Sequence, residues 1–304
     1  MTERTARVLL FASVSGWGAV FIANHQLLAA LAPVDIIVLR FGMASPAFVL
    51  MLLLWPARRP RLSRSDLRMV VLGGLLVVPG SQMFAVAGQQ YLSPSMSGLL
   101  VTTTPAFAAL LAYRFLGERL IRRQAVGVVL ALVGASTIVV FATGVGTDLV
   151  VRSPAGASLF LLSQFLWASY TVLTRRNAQR HDPIGLVAVT FLTGTLWLIP
   201  WAPRAIARSV DLTPAQWGWL VLLVVVGTLV PHVMWYVALS HLPANATAVA
   251  MYLVPLYAAL LSVAILGERL TLAGVFGGLL VLAGVALSQS RRQVSESPGS
   301  AGRS

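Results

Sequence analysis

Ten stretches of about 20 mostly apolar residues follow one another along this chain and constrain its fold more than any other feature. A helix of that length crosses the hydrocarbon core of a bilayer, because it rises 1.5 Å per residue. Inside lipid a helix pairs all its backbone polar groups within one segment. The predicted spans are 8–31, 34–55, 67–88, 95–116, 124–143, 155–174, 183–202, 217–238, 245–266 and 271–290.

The composition argues against a soluble globular domain. Only 10% of the residues are charged and 58% are hydrophobic, whereas a soluble domain carries about 25% charged residues. The net charge of +13 could indicate nucleic-acid binding, but the arginines lie in short connectors between apolar stretches. We therefore expect the lipid bilayer as a partner and no nucleic acid. The absence of cysteine excludes disulfides and thiolate metal ligands, and no other metal-binding motif is present.

The arginines also predict the orientation of the chain. If the N-terminus is cytoplasmic, seventeen arginines lie on the cytoplasmic side, four lie on the other side, and Arg40 lies within a span. Cytoplasmic loops are enriched in basic residues, so both termini are predicted to be cytoplasmic in the cell (inner) membrane. The first stretch is longer than a signal-peptide core and is expected to be retained. The polar residues 291–304 are predicted to form a disordered cytoplasmic tail.

The chain repeats itself at a constant offset of 150 residues. From 105 to 139, fourteen of thirty-five positions are identical to their partners. Shared richness in leucine and alanine does not explain matched Trp, Pro and Gly-Glu-Arg residues. The landmark pairs are Trp17 and Trp167, Pro33 and Pro183, Phe41 and Phe191, Pro105 and Pro255, and the Gly-Glu-Arg-Leu sequences at 117–120 and 267–270.

The repeat predicts an architecture. Residues 1–143 and 155–290 would each form one repeat of five spans, and an odd number forces the second copy to enter the membrane from the opposite side. Inverted repeats recur in secondary transporters. The predicted fold is an all-α integral membrane protein with ten transmembrane helices in two inverted five-helix repeats. Duplication for stability alone is the alternative.

The blocks at 105–120 and 255–270 resemble the signature of the EamA family, within the drug/metabolite transporter superfamily. The opening at 17–21 and the stretch from Pro33 to Phe41 are similar to the first two helices of that family. Its members often carry a small hydroxyl and an Asn where Ala19 and Val20 stand here. The resemblance covers nearly the whole chain and implies a ten-helix transporter of small metabolites or drugs, frequently an exporter.

Polar and aromatic side chains at mid-depth predict a substrate cavity between the repeats. Buried polar groups in lipid are costly unless they pair or line a watery cavity. Gln82 and His232 occupy equivalent positions, as do Trp17 and Trp167, but helix–helix contacts would explain both pairs as well. A threonine-held kink before Pro105 is likewise an alternative to a bend that opens. The candidate lining residues are Trp17, Gln82, Thr102, Trp167, Tyr170, His232, Trp235 and Tyr252.

Arg40, His25 and His232 are charged or titratable side chains that lie inside predicted spans. For Arg40, two interpretations stay open: it snorkels or pairs with Asp35, or it binds an anionic group such as a carboxylate. His25 and His232 are the embedded side chains whose unperturbed pKa lies near neutrality, which makes His232 the candidate for proton coupling.

The predicted function is secondary active transport. A small metabolite, amino acid or drug-like solute would cross by alternating access, with export the favoured direction and a proton or solute as counter-flux. No cofactor is expected, since the sequence has no ATP-binding loop, and no clustered catalytic residues indicate an enzyme. A non-transporting sensor, a lipid scramblase and a membrane-embedded enzyme are the alternatives. The protein would act as a monomer or homodimer.

Overall fold

In a computed structural model of the chain, every regular element of the described part is helical. Tyr252, the Glu-Arg-Leu residues of both predicted turns and the predicted tail lie outside the described residues. The described ranges are 2–117, 122–141, 153–178, 180–239, 241–242, 250–251, 253–267 and 272–289.

These ranges contain fourteen α-helices, numbered here in chain order. A π-helical segment, Leu76–Gln82, joins α3 to α4, and a second, Val225–Leu229, joins α11 to α12. The helices are α1 Glu3–Leu28, α2 Pro33–Leu54, α3 Arg64–Leu75, α4 Met83–Gln89, α5 Pro94–Val101, α6 Thr104–Leu116, α7 Arg122–Phe141, α8 Pro154–Ala178, α9 Pro183–Leu196, α10 Ala202–Ser209, α11 Pro214–Val224, α12 Val230–Leu239, α13 Leu253–Leu266 and α14 Leu272–Gln289.

Proline and glycine set many of the helix ends. Prolines open α2, α5, α8, α9 and α11, where the missing N–H costs nothing because the first turn has no helical acceptor for it. Gly117 and Gly267 follow α6 and α13 with φ angles of 69° and 67°. Only glycine adopts such angles without a steric penalty from Cβ. At equivalent positions of the repeat, the helices therefore end in the same way.

The described helices identify a multi-pass membrane protein. By length and composition, six helical stretches could cross a membrane, and α9 with the short helices after it would make a seventh. The shorter helices Leu253–Leu266 and Gly274–Leu287 are apolar as well. The number of ten spans stays a prediction. The six are Glu3–Leu28, Pro33–Leu54, Arg64–Gln89, Pro94–Leu116, Pro154–Thr174 and Pro214–Trp235.

The stretch predicted as one straight span at 183–202 is bent. Helix α9 ends at Leu196, a 3₁₀ turn covers Ile199–Trp201, and the chain turns by 53° into α10. Pro200 and Pro203 have no backbone N–H, so the helical hydrogen bonds cannot continue through this region.

Helices α7 and α14 cross in an antiparallel contact that pairs equivalent positions of the repeat. The backbone nitrogen of Val281 lies 2.6 Å from where a Cβ on Gly134 would stand, and Gly284 meets the backbone of Ala131 in the same way. Gly284 is the repeat partner of Gly134, and Val281 that of Ala131. Residue numbers rise along one helix as they fall along the other, so the two helices run in opposite directions.

Helices α2 and α9 are also repeat partners that meet. The rings of Phe41 and Phe191 have centroids 5.5 Å apart, and the Ser45 hydroxyl donates to the Thr195 hydroxyl at 3.4 Å. Both pairs differ by the repeat offset of 150. Contact between a residue and its own counterpart is a property of an isologous interface between two related units.

Two ion pairs connect α2 and α9, one between the start of α2 and the end of α9 and one between the end of α2 and the start of α9. Asp35, in the first turn of α2, pairs at 3.3 Å with Arg204, which lies beyond the end of α9. Arg58, beyond the end of α2, pairs at 3.3 Å with Asp182, the residue that caps the start of α9. The beginning of each helix is therefore connected to the end of the other, and α2 and α9 run antiparallel.

The first helix of each repeat packs against the other repeat. Helix α1 contacts α12 and α13, whereas α8, its repeat partner, contacts α4 and α6. Glycines permit close approach at these contacts: Gly18 faces the backbone of Ala258, and Gly88 faces that of Phe160. Helices α1 and α8, called the exchanged helices below, therefore lie at the interface between the halves.

Candidate functional site

A cavity of about 230 Å³ lies where the two halves meet. Pockets for drug-sized ligands usually measure about 300–1,000 Å³, so this space suits a small solute. Its walls come from α1 and α8, from both π-helical segments and from α2, α4–α6 and α12–α14. Its polar and indole-bearing lining residues are Trp17, Asn24, Arg40, Ser81, Gln82, Gln89, Thr102, Thr104, Gln164, Trp167 and His232.

The two π-helical segments occupy nearly equivalent positions of the repeat and both border the cavity. The first contributes Ser81 and Gln82 to the wall, and the second contributes Gly227. A π-helical turn holds an extra residue, and such turns occur frequently at functional sites because they change the direction of side chains and carbonyls. Here they bring polar groups of both halves to one arginine.

Arg40 of α2 is bound by neutral acceptors from both halves. Its Nε donates to the Thr228 hydroxyl at 2.7 Å, Nη1 donates to Gln82 Oε1 at 3.0 Å, and Nη2 donates to the Gly227 carbonyl at 3.3 Å. The arginine is 4% exposed. The interpretation that it pairs with Asp35 is wrong, because Asp35 pairs with Arg204.

The cavity therefore carries an uncompensated positive charge. No acidic side chain is among the described residues that line it, and the three acceptors of Arg40 are all uncharged. Removing a guanidinium from water is expensive unless hydrogen bonds and an opposite charge replace the lost hydration. The hydrogen bonds are present on the protein side, whereas the described wall supplies no negative charge.

His232 of α12 lies in an aromatic cluster beside Arg40. Its ring contacts Trp17 edge-on at a centroid distance of 5.5 Å and Phe191 at 5.1 Å. Its Nδ1 lies 2.5 Å from the Thr228 carbonyl. Because a carbonyl only accepts, Nδ1 carries the hydrogen, and in the neutral ring Nε2 is left as an acceptor.

Five of the eight predicted lining residues lie on the cavity wall: Trp17, Gln82, Thr102, Trp167 and His232. The anion candidate Arg40 lies there too.

Two predicted lining residues contact the lining residues but do not themselves border the cavity. Trp235 contacts the ring of Trp17 at 5.1 Å, and Tyr170 contacts Trp167 at 5.7 Å, but neither borders the cavity. Each follows a lining residue by three positions, which turns it about 60° around the helix. Tyr252, the eighth, lies outside the described residues.

The helix of the fourth predicted span breaks at Thr102 and Thr103. Thr102, Thr103 and Thr104 each donate their hydroxyl to the carbonyl three residues earlier, at 2.6, 2.7 and 2.8 Å. These bonds satisfy carbonyls near the bend before Pro105. The threonine-held kink is therefore present, whereas its opening during transport stays a prediction.

Sequence reasoning missed two amides on the wall. Asn24 and Gln89 are 1% and 5% exposed, and the side-chain oxygen of each has no hydrogen-bond partner within the described part of the chain. Asn24 follows Trp17 by seven residues and Gln89 follows Gln82 by seven, a spacing that places each pair on one helix face. The seven-residue spacing could have predicted both amides as lining residues. They were missed because the residues at their equivalent positions in the repeat are not amides.

Gln164 and Thr104 were also missed. The Thr104 hydroxyl is 2.8 Å from Gln164 Oε1, and Gln164 Nε2 donates to the Ser163 hydroxyl at 2.7 Å. Gln164 lies one turn before Trp167 on α8. This network connects the exchanged helix α8 to the start of α6 at the cavity wall.

An all-helical, multi-pass protein has the architecture of a membrane transporter when a cavity with polar side chains in a mostly apolar wall lies between two related halves. The sequence comparison identifies the particular family. The model of the EamA-like transporter family matches residues 4–140 and, a second time, residues 154–289. The chain therefore belongs to the EamA-like transporter family.

The relatives that this chain resembles are also named as transporters. An uncharacterized transporter of Archaeoglobus fulgidus is 29% identical over 96% of this chain and 99% of its own length. A probable terminal-alkyne amino-acid exporter of Streptantibioticus cattleyicolor is 28% identical over 80% of both chains. A solved crystal structure matches with a TM-score of 0.59 and 18% identity, covering 95% of this chain and 97% of the other, which supports the fold.

Proposed function

We propose that this protein is a secondary active transporter that moves a small solute through the inner membrane by alternating access. Its ten spans would form two inverted five-helix repeats, with both termini in the cytoplasm. The observation that carries the proposal is the cavity at the interface of the halves, whose mostly apolar wall contains Arg40 and several amides. The antiparallel contacts of α7 with α14 and of α2 with α9 support the inversion, since repeat partners run in opposite directions.

The two ion pairs between α2 and α9 are suited to gating. They lie at opposite ends of α2, whose 22 residues span about 33 Å at 1.5 Å per residue. The Arg58–Asp182 pair is partly exposed, and exposed ion pairs contribute at most about 1 kcal/mol, so this pair can open at little cost. In the other pair Asp35 is buried, so its separation from Arg204 costs more. Breaking the two pairs in turn would expose the cavity first to one side and then to the other.

Export of a metabolite or amino acid is the direction we propose. The relative named as a probable terminal-alkyne amino-acid exporter supports it, because its match covers most of both chains. We also propose that His232 carries the coupling proton, since it borders the cavity and lies within the aromatic cluster at the centre of the protein.

Alternating access is testable without knowledge of the substrate, because the chain contains no cysteine. Ala85 lines the cavity, and an Ala85→Cys variant provides one thiol at the centre of the protein. In proteoliposomes a small, membrane-impermeant thiol reagent is expected to modify this cysteine from either side. The proposed mechanism requires this result, because the cavity opens to each side in turn.

Ala131→Cys is the matched control, because Ala131 is fully buried against α14. It is expected to stay unmodified from both sides. Reaction of Ala85→Cys from one side alone would favour a receptor with a fixed cavity, and no reaction from either side would contradict a transport pathway here.

A further inference from the structure

We propose that the transported solute is a small amphipathic carboxylate whose anionic group binds Arg40. This inference rests on the proposed function and specifies the substrate class of the same cavity. It follows from the hydrogen bonds that Arg40 leaves unused, from the charge of the cavity and from the character of its walls.

Arg40 retains donors for a ligand. A guanidinium has five N–H groups, and the bonds to Thr228, Gln82 and Gly227 use one on Nε and one on each Nη nitrogen. No described residue accepts from the second N–H on either terminal nitrogen. Two such groups match the two oxygens of a carboxylate, which is the geometry of a bidentate arginine–carboxylate pair.

The arginine is held in place before any ligand binds. The Thr228 hydroxyl, in the second half, accepts from Arg40 and donates to the Leu223 carbonyl at 3.0 Å. Gln82, in the same half as Arg40, accepts from Nη1 of the guanidinium. Fixed donors bind an anion more tightly than mobile ones because less ordering accompanies binding. Arg40 also connects the two π-helical segments, so a ligand on it contacts the region where both halves meet.

Charge balance favours a monoanion over a neutral solute. The described wall offers one guanidinium and no carboxylate, so an anionic ligand supplies the missing opposite charge. In the low dielectric of the protein interior this attraction is much stronger than in water. A neutral ligand would leave the guanidinium charge uncompensated and would bind through its apolar part alone.

The rest of the wall determines the remainder of the solute. The cavity is bordered by the aromatic rings of Trp17, Phe21 and Trp167. Val20 and Val254 add aliphatic surface. An apolar or ring-bearing body packs against such surface, and the small volume limits its size. The structure therefore fits an acid with one charged end and an apolar body.

The test compares carboxylic acids with their primary amides, which have nearly the same shape and no charge. Binding to the purified wild-type protein in lipid nanodiscs would be measured for acid–amide pairs from acetate to 3-phenylpropionate and indole-3-propionate. At least one acid is expected to bind about tenfold or more tightly than its amide, because charge-assisted hydrogen bonds are roughly twice as strong as neutral ones. Arg40→Gln is expected to bring that ratio close to one.

Arg208→Gln is the matched control, since Arg208 is exposed on α10 and does not line the cavity. It is expected to keep the wild-type ratio. The comparison of acids with amides in the wild type decides the question even if Arg40→Gln does not fold. An acid preference absent from every pair would overturn the proposal, and so would a preference that survives in folded Arg40→Gln.

The two proposals fail in different ways. An acid preference that depends on Arg40, together with access to Ala85→Cys from one side alone, would contradict transport but leave the carboxylate site intact. Access from both sides without any acid preference would retain the transport mechanism and exclude this substrate class.

Discussion

Replacing Gly134 or Gly284 by leucine is expected to prevent correct folding of the protein. Each glycine faces the backbone of the partner helix, with the Val281 nitrogen 2.6 Å from the position of a Cβ on Gly134. Neither backbone can move aside as a flexible side chain would. Overpacking costs about 1–3 kcal/mol where side chains adjust, and here we expect at least about 3 kcal/mol. Thermal unfolding and size-exclusion chromatography in detergent would measure the effect.

Gly42→Leu provides the control, because no described residue outside its own helix has an atom within 4 Å of the position of its Cβ. Gly42 lies inside α2, so the substitution has the same chemistry in a helix interior. It is expected to leave the unfolding temperature near the wild-type value. Equal unfolding temperatures for Gly134→Leu and Gly42→Leu would contradict the close crossing of α7 and α14.

His232→Gln is expected to abolish proton coupling. Among the described residues that line the cavity, His232 is the one histidine, the residue type whose free side chain gains and loses a proton near neutral pH, whereas arginine stays charged. Glutamine retains an N–H that can reach the Thr228 carbonyl but cannot carry a proton across. In proteoliposomes loaded with a pH-sensitive dye, the proton flux driven by the best-binding solute is expected to fall about tenfold or more, a size typical of removing a proton-transfer group.

His25→Gln is the corresponding control. His25 is exposed in the last turn of α1 and does not border the cavity, so its substitution is expected to leave the flux unchanged. Equal proton flux in His232→Gln and the wild type would exclude His232 as the coupling group, and the counter-flux would then be a solute.

The repeat offset was the most productive signal in the sequence. It pairs Phe41 with Phe191 and Gly134 with Gly284, and these pairs lie at contacts between the halves. Such prediction is possible because two related units that meet around a common axis bring equivalent residues together. Gln82 and His232 were predicted as lining residues from their depth within the spans and their equivalent positions in the repeat, and both border the cavity.

Other features depend on packing that sequence patterns do not encode. The π-helical segments have no residue signature, and their polar groups converge on Arg40 through contacts between the halves. Asp35 is only five residues from Arg40 in the chain, but that spacing turns it about 140° around the helix. The acid therefore faces Arg204 instead. Proximity in sequence was misleading because helix geometry decides which side chains can meet.

The inversion of the two halves is the claim on which the transport mechanism depends. Ala57 and Ala207 test it directly, because both are exposed alanines at equivalent positions, one after α2 and one in α10. In the cysteine-free chain, Ala57→Cys and Ala207→Cys would each be treated in intact cells with a membrane-impermeant thiol reagent. We predict that Ala207→Cys reacts from outside, whereas Ala57→Cys reacts only after the cytoplasmic side is opened. Reaction of both cysteines from the same side would contradict the inverted repeat.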